Sequence, residues 1–305
     1  MSTTTKEAHM SKRVTIVHSP DYANWFFSSD HPTQGRRFIN GFNLIKGNQR
    51  IIEPRLATTA ELARVHSAGY IHEVTKNHSS FEWSGAREDL ARFATLFAGG
   101  TLVALEDLLN DEADLAIHLP GAKHHAQHDH SSGFCVFNDF AIAADIATKD
   151  YGLKVAIIDF DAHHGDGVEN LTRDNPDVLT FSIHESGIFP GTGNSDELEK
   201  NVFNFPLSAT STGLGDRALL AGINKFIPIA RAFQPDLLFI TSGADGLADD
   251  PLTHLQYTVE GYAEAARTLA KAFPNTKKLM GGAGGYLPDS GTPEVWAAVA
   301  EQLAA

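Results

Sequence analysis

Six short apolar runs recur along the chain: VTIVHS from Val14, DLAIHL from Asp114, KVAIIDF from Lys154, VLTFSIH from Val178, DLLFIT from Asp236 and KKLMGG from Lys277. Their brevity and lack of alternation fit strands buried on both faces rather than on one. Longer stretches with apolar residues at helical spacing separate them, among them AREDLARFATLFAGGTLVALEDLLN, NDFAIAADIATKD, DRALLAGINKFIPIARAF and YTVEGYAEAARTLAKAF. Alternating strands and helices predict an α/β fold, a doubly wound, mostly parallel sheet with helices on both faces. No repeat, low-complexity tract or Pro/Gly/Ser linker divides the 305 residues, so a single domain over 13–305 is expected, preceded by a flexible tail at 1–12.

Composition narrows the possible partners. A formal net charge of -14, with no dense Lys/Arg run, argues against nucleic-acid binding. The one cysteine, Cys135, excludes an internal disulfide and a Cys-rich metal site, and points to a reducing compartment. The first residues lack the apolar core of a secretory leader, and no stretch approaches the roughly 18 apolar residues of a membrane span. A cytoplasmic location without membrane contact is expected.

The polar segments fall after the strand candidates, where open α/β sheets build their ligand sites. In IIDFDAHHGDG, from Ile157, strand alternation puts Asp159, Asp161 and His163 on one face. Asp161 and His163 can grip one metal ion, and Asp245, just past DLLFIT, is placed to supply a third ligand. Two carboxylates and one imidazole suit a divalent ion such as Zn²⁺ and leave a position open for water and substrate. Taken singly, the same residues read as helix caps and a loop histidine. Eight of the 15 histidines lie between His118 and His184, however, which favours the metal. His124 and His125 follow the DLAIHL strand and offer a base and an acid, with Asp159 and Asp166 available to fix their protonation.

GAKHHAQHDHSSGFCVFND, IIDFDAHHGDG, FSIHESGIFPGTG, SGADGLADDPL and GGAGGY, in that order, resemble the signature blocks of the histone deacetylase superfamily, which includes acetylpolyamine amidohydrolases and acetoin-utilisation proteins. HPTQGRR from His31 and ELARVHSAGYI from Glu61 extend the likeness upstream. The resemblance implies the arginase/deacetylase fold and zinc-dependent hydrolysis of an acyl amide on a lysine side chain, in protein or peptide, or on a polyamine or other small molecule. It matches Asp161, His163 and Asp245 to the zinc ligands, His124 and His125 to the tandem histidines, and Tyr286 to the tyrosine that polarises the amide carbonyl. Phe134 and Phe189 match the walls of an acyl-lysine tunnel and Gly133 its small lining residue. Arg37 matches an arginine of an inner channel proposed for acetate exit. A structural potassium ion is implied near Asp159, Asp161, His163, Ser182 and Ile183, and a second near Thr172, Asn175 and Val178.

The chain departs from the family pattern at two points. Ala122 and Lys123 separate the Pro-Gly step from the histidine pair, and Ala283 interrupts the glycine run before Tyr286, which is tolerable if its φ is negative. His128, Asp129 and His130 read as a solvated loop, and Trp25 and Phe26 as either rim aromatics or ordinary packing. An arginase-like binuclear hydrolase would need acids where Gly165 and Leu247 stand. A catalytically silent binding protein would lack one of the residues named above. At the tunnel mouth, Leu252 occupies the position where a polyamine-selective arrangement carries glutamate, which favours a neutral acyl-lysine stem, although Asp249 and Asp250 precede it.

Overall fold

The computed structural model describes residues 12–305. The expected tail lies outside these residues except for Lys12, whose ammonium donates to the Leu303 carbonyl at 2.9 Å. Eight strands are described: β1 (Val14–Val17), β2 (Arg50–Ile52), β3 (Leu115–His118), β4 (Val155–Asp159), β5 (Val178–Glu185), β6 (Val202–Leu207), β7 (Leu237–Thr241) and β8 (Lys277–Gly281). They form one sheet in the order β2-β1-β3-β8-β7-β4-β5-β6, and every pairing is parallel. The six strands expected from apolar runs are the six interior ones.

The two additional strands, β2 and β6, are the edges. With one side unpaired they carry mixed exposure instead of a continuous apolar run, and β6 holds Pro206, which an edge tolerates because it lacks only an N–H the ladder does not need there. Nine helices are described: α1 (Arg36–Ile45), α2 (Thr59–Leu62), α3 (Ala68–Thr75), α4 (Glu88–Leu109), α5 (Asp139–Tyr151), α6 (Asp166–Thr172), α7 (Asp216–Phe233), α8 (Val259–Ala272) and α9 (Gly291–Ala304). α3, α4, α5 and α6 pack in succession as one layer and α1, α9, α8 and α7 as the other, the doubly wound arrangement. β3, β4, β5 and β7 between them are buried throughout.

Strand register determines where chemistry can gather. His118 of β3 pairs with Gly281 of β8, Gly281 with Thr241 of β7, Thr241 with Asp159 of β4, and Asp159 with Ser182 of β5. Four strands, β3, β8, β7 and β4, therefore end in one row, β5 runs three residues past it to Glu185, and the loops after them leave from the same edge of the sheet.

Candidate active site

The β4 strand ends at Asp159, and the chain then turns so that Asp161 and His163 face Asp245 from the loop after β7. One ligand atom from each of the three lies within 4.8 Å of the others, all three side chains are buried, and no other such group occurs among the described residues. His163 Nδ1 lies 2.9 Å from Asp245 Oδ2 and 3.3 Å from Asp161 Oδ1. Two glycines make room for the carboxylates: a Cβ on Gly243 would come within 2.2 Å of Asp161 Oδ2, and one on Gly284 within 2.3 Å of Asp245 Oδ2.

This donor set fits a divalent cation. Burial alone would lower the pKa of His163, but the two carboxylates hold it up at about 11, while burial and the Asp161 charge push Asp245 up to about 8. The cluster thus retains protons that a metal ion would displace, as expected where negative charge is confined away from water. Gly165 and Leu247 bring no acid that could hold a second ion beside it.

The tandem histidines stand next to the triad. His124 Nδ1 is 2.7 Å from Asp159 Oδ2 and His125 Nδ1 is 2.7 Å from Asp166 Oδ1, with the two rings 4.0 Å apart. Their loop is held from below by a buried carboxylate. Asp139 accepts from the backbone N–H groups of Ala122 (2.8 Å) and Lys123 (2.7 Å) and from the Thr101 hydroxyl, which also meets His118 Nδ1 at 2.9 Å. This explains how the loop accommodates its two extra residues: Ala122 adopts φ +63°, and the amides that follow are satisfied by Asp139. Burial, reinforced by neighbouring His124, pushes His125 down to about 4, so its imidazole is neutral near pH 7.

A cavity of about 380 Å³ leads from the surface to this point, lined by His125, Gly133, Phe134, His163, Phe189, Leu252 and Tyr286. Phe189 lies 5.0 Å from the His125 ring, and Phe134 lies edge-on to Tyr286 at 6.1 Å. Burial and the Asp245 charge raise Tyr286 well above the ordinary phenol range, so its hydroxyl stays a donor. Arg37 is buried behind the tyrosine and donates to the Gly285 carbonyl at 2.7 Å. Ser182 and Ile183 lie on β5 beside Asp159, with Ser182 Oγ 2.9 Å from His184 Nδ1, while Thr172 ends α6, Asn175 lies between α6 and β5, and Val178 begins β5.

Ala283 adopts φ +51°, not the negative value that would make its methyl easy to accept, because the chain must turn sharply between β8 and Tyr286. His128, Asp129 and His130 are exposed, as a solvated loop should be. Trp25 is buried against Phe27, Phe93 and Phe97, whereas Phe26 is largely exposed. Sequence reasoning missed Glu82, whose carboxylate accepts from the Phe134 N–H at 3.0 Å, and the anchoring role of Asp139. Neither carries a local signal, since each acts on a loop remote in sequence. Asp250 accepts from the N–H groups of Leu252 (3.0 Å) and Tyr286 (2.9 Å), so it braces the tunnel wall rather than facing its mouth.

Residues 29–303 match the family described as the histone deacetylase domain. The chain is 36% identical to the acetoin utilization protein AcuC of Bacillus subtilis (strain 168), over 93% of this chain and 80% of that protein. It is 32% identical to the acetoin utilization protein AcuC of Staphylococcus aureus (strain MRSA252), over 96% and 82% respectively. Its fold superposes on the crystal structure of the HDA15 HD domain with a TM-score of 0.85 and 26% identity, covering 96% of this chain and 90% of that one.

Proposed function

Because the chain belongs to the histone deacetylase family, we propose that it hydrolyses the acetyl amide of a lysine side chain in a protein or peptide, releasing acetate and the free amine. The observation that carries this reading is the joining of a narrow aromatic-walled cavity to a floor of His125, His163 and Tyr286, which suits an amide at the end of a long apolar stem. Phe134 and Phe189 would flank the methylenes, each worth about 0.8 kcal/mol when buried.

Asp161, His163 and Asp245 would hold a zinc ion, which when bound supplies Lewis-acid polarisation of the carbonyl and lowers the pKa of water. Asp166 accepts the Nδ1–H of His125, leaving Nε2 free to take a proton from the attacking water and return it to the departing amine. His124, held by Asp159, would tune the charge beside it. Tyr286 would donate its O–H to the oxygen that becomes negative, a contact worth about 3 kcal/mol in the transition state. Potassium near Asp159 and Ser182 would brace this floor.

Support for lysine over a polyamine comes from the mouth. Leu252 is apolar and partly exposed there, and both Asp250 oxygens are committed to backbone N–H groups, leaving exposed Asp249 as the one nearby carboxylate of that segment. A secondary ammonium would be costly to desolvate without a partner. The test compares kcat/KM for an acetyl-lysine peptide with N-acetylputrescine and N8-acetylspermidine. Higher efficiency on the peptide, lost on chelation, is expected. Preference for either polyamine would make the protein an acetylpolyamine amidohydrolase instead, and no turnover of any of the three would leave a binding protein.

A further inference from the structure

Three large apolar side chains stand exposed around the tunnel mouth. Phe189 and Leu252 line the cavity and are 49% and 39% exposed. Phe81, at 87%, is the most exposed large apolar side chain among the described residues. Its place at the mouth follows from its two neighbours in the chain. Ser80 Oγ lies 2.6 Å from Ser131 Oγ, and the Glu82 carboxylate accepts from the Phe134 N–H at 3.0 Å. Both residues that flank Phe81 are thus tied to the segment that forms the Phe134 wall.

The turn that carries Phe81 is braced from within. The Glu82 N–H donates to Ser80 Oγ at 3.2 Å, and Ser80 pairs with Trp83 across the turn. The His78 carbonyl accepts from Trp83 Nε1 at 2.9 Å and from the Arg87 N–H at 2.8 Å. Trp83 is buried, with its ring 6.3 Å from that of Phe27, whereas Phe81, two positions earlier, is turned outward. A phenyl held in water by a braced turn stabilises nothing in the free protein, and apolar groups gathered around an opening mark a contact surface.

We propose that Phe81 determines specificity by receiving an apolar side chain of the substrate peptide, two positions from the acylated lysine. The inference rests on the lysine deacetylase reading for the group in the tunnel, and concerns what lies beside that group. With the stem inserted, the lysine backbone stands at the mouth and the peptide must cross the rim. In an extended peptide the neighbouring side chains point away from the protein, while those two positions away share the face of the lysine, about 7 Å along the chain. An aromatic or aliphatic residue there would meet the apolar rim of Phe81, Phe189 and Leu252.

The experiment compares kcat/KM on acetyl-lysine peptides that carry phenylalanine, or glycine in its place, two positions before or after the acetyl-lysine, for the wild type, Phe81→Ser and Phe81→Leu. Binding of the same peptides, fluorescently labelled, is followed by polarisation, and oligomeric state by light scattering. The wild type is expected to favour one phenylalanine peptide over its glycine counterpart by about tenfold, through KM, as a new contact between two phenyl rings would give. Phe81→Ser should abolish that preference and Phe81→Leu should keep most of it. Equal phenylalanine-to-glycine ratios in the wild type and Phe81→Ser, for both placements, overturn the inference and leave the deacetylase reading standing. Dissociation of a wild-type oligomer by Phe81→Ser, with the ratio unchanged, overturns it too and makes Phe81 a contact between copies of the chain. If no peptide is turned over, a phenylalanine preference in binding that Phe81→Ser removes supports the rim contact and overturns the proposed reaction, whereas binding without such a preference overturns both.

Discussion

Gly133 carries the tightest local constraint at the tunnel. Its φ is +53°, and a Cβ there would stand 2.4 Å from His125 Cδ2 and 3.0 Å from Phe189 Cε1. Glycine is needed both for the backbone conformation and for the space, and the next residue, Phe134, is also left-handed at φ +63°. Gly133→Ala should therefore push the His125 ring off its bond with Asp166 and cut kcat/KM by at least about a hundredfold, since misplacing a catalytic group by about 1 Å costs that much. Steady-state kinetics beside a thermal melt check this, and a folded variant of normal efficiency would refute it. Gly133 was legible only through the family motif. The reason for it lies in a ring eight residues away in sequence.

At the scale of elements, the decisive unit is the joint between α5 and the histidine loop. Asn138 caps α5 through the Ala141 N–H at 3.1 Å, and its amide donates to the Ala126 carbonyl at 3.1 Å, one residue past the tandem histidines. Removing the cap costs about 1 kcal/mol, and removing the second bond about another 1 kcal/mol. Asn138→Ala is expected to lower unfolding stability by about 2 kcal/mol in urea titration and to reduce kcat more than it raises KM, because it loosens the base rather than the tunnel. The α5 helix was visible from its apolar spacing, and so were α4, α7 and α8. Missing from the sequence reading were α1, α2, α3, α6 and α9 and the edge strands. A helix of 4 or 7 residues spans too few turns to establish a period, and an edge strand lacks the continuous apolar run that marks its buried neighbours.

For the whole molecule, the buried histidines set the response to acid. Burial pushes His66 down to about 4 and His118 and His184 down to about 3. The folded values lie below the unfolded one near 6.5, so the unfolded chain binds more protons and stability rises with pH. The stabilisation is fully present above pH 6.5 and is lost as pH falls toward 4. Together the three sites should remove on the order of 4 kcal/mol between pH 6.5 and 5, at up to about 1.4 kcal/mol per site per pH unit. Urea midpoints across that range measure it, and a midpoint that stays level would contradict the burial of these rings.

Taken alone, the sequence determined the alternation of strands and helices, the absence of an internal disulfide and the residue types able to bind a metal, because each depends on local pattern or on composition. That Asp161 and His163 needed a partner could be read from two neighbouring residues. That Asp245 meets them 82 residues beyond His163 depends on β4 and β7 being paired in register, Thr241 opposite Asp159. The positive φ of Ala283 and the Asp139 brace under the histidine loop were likewise decided by the fold. Contacts across the sheet and between loops leave no periodicity in the chain, and only the folded register brings them together.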